Sequence, residues 1–403
     1  PPLIFNWLVK KRGKLRERPI TLKKILCTGF CAFVFLSQLM VAYILGFFMF
    51  VLTKRTPKKE QLLHRFCCSV FRWDVKRMPG QKFRYVNKQN EDFSKPAVII
   101  SNHQSLLDSF YLMTLSPKMV MLANDHVGEN IITGRMFRWL GFVTVGQGYE
   151  KMSEKIRPYI EQGYSVALFP EGERPRKASP VIKRFHKGAV QFAQDFNLDI
   201  LPVYLYGIAQ AMPKGVAISN GGEIQIEVGK RITPAQLMAF GDTEQLRSQA
   251  IHELYQNHFT EIRRTLSTVK QLSPIVYDRY RYKGLEIEQI ARKAIKIFSA
   301  NKTKLEGLYN GKNFLVVENG TNGELSLLLA LMYPEADIFS YPASEHSRSI
   351  MEGCADNFVK NVQIISYNEL MAIQKDDLNV YYTGEGDSSI KDSILGPHTI
   401  FII

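Results

Sequence analysis

The chain has 403 residues, with 52 Lys and Arg against 38 Asp and Glu and a net charge of +14. That length exceeds one ordinary core, so two or more units are expected. The charge alone fits nucleic acid or an anionic membrane surface, but the basic residues crowd around an apolar run near the N-terminus, which favours the membrane and leaves nucleic-acid binding without support. Five cysteines, two of them inside that run, form neither a disulfide framework nor a metal-ligand pattern, and the eight histidines are scattered. No metal site is expected, and a reducing, cytoplasmic setting is the simpler reading. The chain opens on Pro1-Pro2 and closes inside an apolar run, Thr399 to Ile403, as a segment cut from a longer polypeptide would.

Residues 1–24 carry a short apolar piece, Leu3 to Val9, then eight basic residues and one acidic one. They read as the basic tail of a preceding membrane domain. Residues 25–53 hold 29 positions without a charge. At about 1.5 Å per residue this is long enough to cross a bilayer with some tilt. The length and the lack of a cleavage site argue against a signal peptide. Lys54, Arg55, Lys58 and Lys59 follow, so both flanks are basic and the positive-inside rule does not decide orientation. A transmembrane or re-entrant helix is expected over 25–53, as a single anchor or a segment lying partly in the interface. The following unit would face the cytoplasm from an inner membrane. Residues 57–95 are amphipathic and basic, with Phe66, Phe71 and Trp73 interleaved. They fit a membrane-surface helix or a helix packed on its own domain.

From 96 to 240 strands and helices alternate, which argues an α/β unit with a mixed sheet. Strands are expected at 97–101, 119–122, 142–145, 165–169, 200–206 and 223–228, and a helix at 182–196. The first strand, Ala97-Val98-Ile99-Ile100, runs into Asn102-His103-Gln104-Ser105-Leu106-Leu107-Asp108. A helix starting at Ser105, with its hydroxyl as cap, would let Asp108 reach back to a ring nitrogen of His103. Such a pairing fixes the tautomer and leaves the other nitrogen to accept a proton. Pairs at this spacing are more often structural than catalytic. The second stretch, Phe169-Pro170-Glu171-Gly172-Glu173-Arg174, is again a strand ending in a charged turn, and two such turns can line one cleft at the carboxyl edge of a sheet. A third strand, Ile200-Leu201-Pro202-Val203-Tyr204, has a proline at its start.

Asn-His-x-Ser-x-x-Asp, Phe-Pro-Glu-Gly-x-Arg and Leu-Pro-Val, in that order, resemble the glycerolipid acyltransferase family, the lysophospholipid or 1-acylglycerol-3-phosphate acyltransferases. The resemblance covers about Thr56 to Thr268, with the domain drawn at 57–270. It implies a membrane-bound enzyme that moves a fatty acyl group from an acyl-coenzyme A or acyl carrier protein thioester to a hydroxyl of a lysophospholipid or glycerol-phosphate-like lipid, with no cofactor. His103 would be the general base and Asp108 its orienting partner. Glu171 and Gly172 would shape the acceptor site, and Arg174 would pair with an anionic head group. Asn102 and Ser105 are read as capping the turn. The sequence departs from the family at Glu173, where a threonine is usual, and at Pro175, where a serine is usual. Gly146 and Gln147 stand where an arginine is usual, so Gln147 is the polar candidate there. Arg176, Lys177, Lys183 or Arg184 could compensate. These departures keep a non-phosphate acceptor open, such as an amino-acid lipid or a pigment-like alcohol.

A helix apolar on one face is expected over 243–268, and Ser273-Pro274 reads as the start of a linker. A helix at 285–298 follows. Then Asn313 to Glu324 reads as strand, glycine turn and helix. Strands at 337–341, 361–365, 378–382 and 398–403 complete a doubly wound pattern. Residues 275–403 resemble a truncated, Rossmann-like class I S-adenosylmethionine-dependent methyltransferase domain, over about Ile287 to the end. The resemblance implies cofactor contacts from Glu318, Gly320 and Gly323, but no acid ends the second strand before Glu345. The order of pieces, with an opening like the tail of a resistance-nodulation-division exporter, resembles bacterial exporter–acyltransferase–methyltransferase fusions. Two rivals to acyl transfer therefore stand: methyl transfer, and a non-enzymatic coupling module for a lipid exporter.

Overall fold

The structure, a computed structural model, describes residues 21–123, 134–174, 182–212, 217–219, 221–281, 283–306, 311–356, 358–374, 378–384 and 399–402. Two compact units divide near residue 260, one covering Ile20–Thr260 and the other including Glu261–Ile403.

The first unit begins with helix α1, Leu22–Phe50, capped by the Thr21 side chain. It starts and ends three residues earlier than the expected apolar span, and it is long and apolar enough to cross a membrane. Its inner face is attached along most of its length. Ser219 N–H donates to Thr28 Oγ1 at 3.0 Å. Phe35 meets Phe110 edge-on with centroids 5.0 Å apart, and Gln38 Nε2 donates to Asp74 Oδ1 at 3.0 Å. Further on, Tyr43 and Phe50 both pack on Trp139. The outer face leaves Leu22, Leu26, Phe30, Phe33 and Met40 exposed.

Helix α2, Pro57–Arg77, follows with Thr56 as its cap and Pro57 in the first turn, where a missing N–H costs nothing. It buries Leu63, Cys67, Cys68 and Val75. Of the two readings of this stretch, packing on its own domain is therefore met for 57–77. Residues 81–86 are instead strand β1, Gln81–Val86, half exposed at the sheet edge.

The sheet continues with β2 Ala97–Ser101, β3 Met119–Ala123, β4 Val143–Thr144, β5 Ser165–Leu168, β6 Asp199–Tyr206 and β7 Gly222–Val228. Its order is β1-β7-β6-β2-β5-β3-β4. Among the strands of this sheet that are described, β6 and β7 pair antiparallel and the other neighbours pair parallel, so β1 and β7 run against the other five strands. The central strands β2, β5 and β6 are buried at every position, as expected for short apolar runs covered on both faces. Pro202 lies inside β6 rather than at its start. Its carbonyl accepts the Gly229 N–H at 2.9 Å, so its nitrogen faces the β7 side just beyond the last β7 residue, where the missing donor costs least. The expected helix over 182–196 is shorter, Gly188–Asp195. Residues 182–187 lie outside it because their backbone is tied elsewhere. Ile182 N–H donates to Gln256 Oε1, Lys183 N–H to Glu171 Oε2, and His186 N–H to Pro170 O.

In the second unit Ser273-Pro274 is not a linker. A helix runs Val269–Tyr280 with Pro274 inside it, started by a Thr268–Gln271 capping box. Strands β8 Asn313–Glu318, β9 Ile338–Pro342, β10 Val362–Ile364, β11 Leu378–Thr383 and β12 Thr399–Ile402 form an all-parallel sheet in the order β10-β9-β8-β11-β12. The order reverses between β8 and β11. Helix Glu324–Met332, between β8 and β9, is buried at nearly every position.

Candidate functional site

Strands β2 and β5 are parallel neighbours with Ile100 opposite Leu168. The turns that follow them therefore open on one edge of the sheet. At that edge Asn102 is fastened to β6: its side-chain amide exchanges two hydrogen bonds with the Leu205 backbone, each 2.9 Å. Its own N–H donates to the Tyr255 hydroxyl at 2.9 Å. These bonds hold the exit of β2, so His103 is presented by a rigid backbone.

The next helix, α3, is Asp108–Met113, and Ser105 does not cap it. The Ser105 hydroxyl donates to Met212 O at 2.7 Å. Asp108 organises the loop instead. Its Oδ2 accepts the N–H groups of Gln104 and Ser105 at 2.6 and 2.7 Å, and lies 3.0 Å from His103 Nδ1. Asp108 is 1% exposed. Both backbone donors aim at the oxygen that meets the imidazole, so that oxygen is held in place and His103 carries its Nδ1 proton toward it. Among the described residues only Nδ1 of the ring has a hydrogen-bond partner, which leaves Nε2 to face a substrate. The ring stacks on Phe169, with centroids 4.0 Å apart and planes 11° from parallel.

Glu171 lies behind this pair. Its Oε1 accepts the His103 N–H at 2.7 Å and its Oε2 the Lys183 N–H at 3.0 Å. Burial pushes its carboxyl up to about 7, against the pull of those two donors. Both oxygens are thus spent on tying three chain segments together. Gly172 turns with φ +73°, and a Cβ there would sit 3.1 Å from the His186 ring. The added carboxylate of Glu173 is ion-paired with Lys183 Nζ at 2.7 Å. The pair is exposed and contributes little stability, but it offsets the charge that Glu173 brings to the turn.

These turns face a cavity of about 1130 Å³. His103, Phe169, Arg174 and His186 line it, and so do Phe35 and Leu39 of α1. It exceeds the usual range for small-molecule sites, about 300–1,000 Å³. A partly exposed histidine backed by a buried aspartate, at the wall of a large, mostly apolar cavity with a guanidinium, suits proton abstraction beside a long apolar substrate that carries an anionic end.

Residues 82–206 match the Acyltransferase family model. The same region resembles known enzymes. A chloroplastic 1-acyl-sn-glycerol-3-phosphate acyltransferase of Arabidopsis thaliana is 28% identical over 142 residues, 34% of this chain and 39% of that protein. A 1-acyl-sn-glycerol-3-phosphate acyltransferase of Limnanthes douglasii is 31% identical over 132 residues, 31% of this chain and 46% of that protein. The chain thus spans less than half the length of these relatives. A solved structure of the 1-acyl-sn-glycerophosphate (LPA) acyltransferase PlsC from Thermotoga maritima aligns with 60% of this chain and 96% of its own, at 18% identity and a TM-score of 0.49.

The matched segment brings together His103, Asp108, Glu171, Gly172 and Arg174. Gln147 closes the 3₁₀ turn Val145–Gln147, and its side chain lies outside the described residues, as do Arg176 and Lys177. Sequence reasoning missed His186 and Phe169 as site residues, and it missed α1 as part of the cavity wall. The apolar run of α1 signalled membrane and nothing else. His186 was hidden by a helix assignment that swallowed the loop before Gly188.

The second unit places Glu318, Gly320 and Gly323 at the carboxyl end of β8. Glu318 is fully buried, and its oxygens are taken inside the protein. Ser326 donates to Oε1 through both its N–H and its hydroxyl, each 2.8 Å, and Thr321 Oγ1 donates to Oε2. Burial raises its carboxyl above the ordinary range. Gly323 is required at φ +92°, because a Cβ would meet Met351 at 2.4 Å. β9 ends at Pro342, and Glu345 lies in the following helix, Glu345–Ala355. The residues present do not fit S-adenosylmethionine: the acid that would open its site is used up, and none stands at the end of β9 for the ribose.

Proposed function

We propose that the unit Ile20–Thr260 is a membrane-bound O-acyltransferase. It transfers a fatty acyl group from an acyl-coenzyme A or acyl carrier protein thioester to a hydroxyl of a lysophospholipid or glycerol-phosphate-like acceptor. The observation that carries this reading is the His103 ring, held at Nδ1 by buried Asp108, on the wall of a large apolar cavity that Arg174 shares.

In the reaction Nε2 of His103 takes the proton from the acceptor hydroxyl as its oxygen attacks the thioester carbonyl. The C–S bond then breaks, and the imidazolium of His103 returns its proton to the departing sulfur, which leaves as the thiol. Asp108 stabilises the imidazolium formed on the way. No serine nucleophile is needed, because the acceptor's own hydroxyl attacks; the Ser105 hydroxyl is engaged with Met212 O. Glu171 positions the histidine through its backbone rather than touching substrate. Arg174 offers a planar fork for an anionic head group. Helix α1 serves as both membrane contact and cavity wall, so that a lipid passes between bilayer and site without crossing water. The unit that includes Glu261–Ile403 is, in this reading, a methyltransferase-like domain without a working cofactor site.

The test is thiol release from acyl-coenzyme A and from acyl carrier protein with a panel of acceptors. Release that depends on lysophosphatidic acid supports the reading. Release only with a phosphate-free lipid alcohol keeps the chemistry and reassigns the acceptor. No release with any pair sinks the assignment and favours the coupling-module reading.

A further inference from the structure

We propose that His186 is a specificity-determining residue of the acceptor subsite, donating a hydrogen bond to the anionic head group of the acyl acceptor. This rests on the acyl-transfer reading above and narrows its substrate to an anionic lipid alcohol, such as a phosphate monoester.

The placement of His186 is built by three features. Its backbone N–H donates to Pro170 O at 2.8 Å, which fixes the loop before helix Gly188–Asp195 against the Pro170–Gly172 turn. Its ring then closes over Gly172. The Cδ2 and Nε2 atoms would each lie 3.1 Å from a Cβ at that position. Gly172 thus serves two purposes: it adopts φ +73° and it leaves room for the imidazole. Finally, the side chain lines the cavity that His103 and Arg174 also line. His186 is exposed and lines the same cavity as Arg174, so it can add an N–H donor where an anion would sit. The loop that would otherwise be helix is spent on holding it there.

The chemistry also answers the missing arginine near Gln147. Imidazole donates one directed hydrogen bond, and more strongly when protonated. Together with the guanidinium of Arg174 it supplies two donor groups to a head group with several acceptor oxygens. The neighbouring Lys187 is not the equivalent cation, because its Nζ is 3.0 Å from Glu244 Oε2.

The experiment compares His186→Phe and His186→Gln with the unsubstituted protein in acceptor saturation curves, using lysophosphatidic acid and monoacylglycerol. Phenylalanine keeps a ring over Gly172 and removes the nitrogen donors. Glutamine restores an N–H at similar reach. The expected result is a rise of about tenfold in KM for lysophosphatidic acid in His186→Phe. The donor KM should stay unchanged, kcat should move far less than KM, and His186→Gln should recover much of the loss. Monoacylglycerol kinetics should not discriminate the variants. An unchanged acceptor KM in a folded His186→Phe protein overturns the proposal and leaves the acyl-transfer reading standing. A shifted donor KM overturns it by moving His186 to the thioester side. If the unsubstituted protein transfers only to monoacylglycerol, the anionic acceptor itself is refuted. If it transfers to nothing, the underlying reading fails first.

Discussion

Asp108→Asn separates the charge of the site from its shape. Asp108 Oδ2 receives two backbone N–H groups, at 2.6 and 2.7 Å, and faces His103 Nδ1 at 3.0 Å. An asparagine can place its carbonyl oxygen where Oδ2 stands and keep all three contacts. Turning the amide the other way would aim an NH₂ group at two N–H donors. Each buried donor left unmet costs about 1–3 kcal/mol, so the productive orientation is strongly preferred. The NH₂ then takes the place of Oδ1, which has no hydrogen-bond partner among the described residues. The fold and the tautomer therefore survive, and what disappears is the negative charge beside the imidazolium. At an effective dielectric near 20, such a pair about 4 Å apart is worth about 4 kcal/mol. Only part of it is realised in the transition state. The expected outcome is a fall of about 10²–10³-fold in kcat, with the melting temperature little changed. Asp108→Ala should do worse on both counts, because it also strands the two N–H groups. The assay is continuous thiol release at saturating donor and acceptor. An Asp108→Asn protein within about threefold of the unsubstituted rate would refute the claim that this carboxylate stabilises a charged histidine.

Three other expectations follow from the same contacts. Arg174→Ala should raise the acceptor KM about 10–100-fold if its guanidinium grips an anionic head group; saturation curves decide, and an unchanged KM moves the head group elsewhere. Gly46→Ala should cost about 1–3 kcal/mol, since the added Cβ would lie 2.4 Å from a Trp139 ring wedged against Tyr43 and Phe50. An unaltered melting temperature would mean that α1 is not tightly docked there. Glu171 has its carboxyl raised from 4.5 to about 7 by burial. The unfolded chain therefore holds this proton less tightly than the folded one, and stability from this group falls as pH rises from about 4.5 to 7, by about 3 kcal/mol in all. Melting curves across that range should show the fall, and Glu171→Gln should flatten it.

The strands that carry the site were legible in the sequence because they are short, wholly apolar runs ending in polar turns. β2, β5 and β6 lie within one residue of their expected limits. The pairing of His103 with Asp108 was legible too, but for a different local reason. The expected helix cap at Ser105 is absent, and the contact arises because the loop folds around the carboxylate itself. β1 was missed because Gln81-Lys82-Phe83-Arg84-Tyr85-Val86 is a half-exposed edge strand whose alternation merges into a longer amphipathic stretch. Pro274 misled because a proline suggests a break, whereas tertiary packing holds it inside a helix. The use of α1 as a cavity wall was illegible in principle. An apolar face reads the same to a bilayer, a core or a bound acyl chain, and only the contacts of Phe35, Gln38 and Tyr43 tell them apart.

The central claim is that His103 takes the proton from an acceptor hydroxyl. The most direct measurement is acceptor-dependent thiol release by the purified chain in lipid or detergent, set beside His103→Ala with unchanged melting behaviour. The account predicts that the substitution lowers turnover by about 10²–10⁴-fold while donor and acceptor still bind. Turnover by His103→Ala at the unsubstituted rate would contradict it.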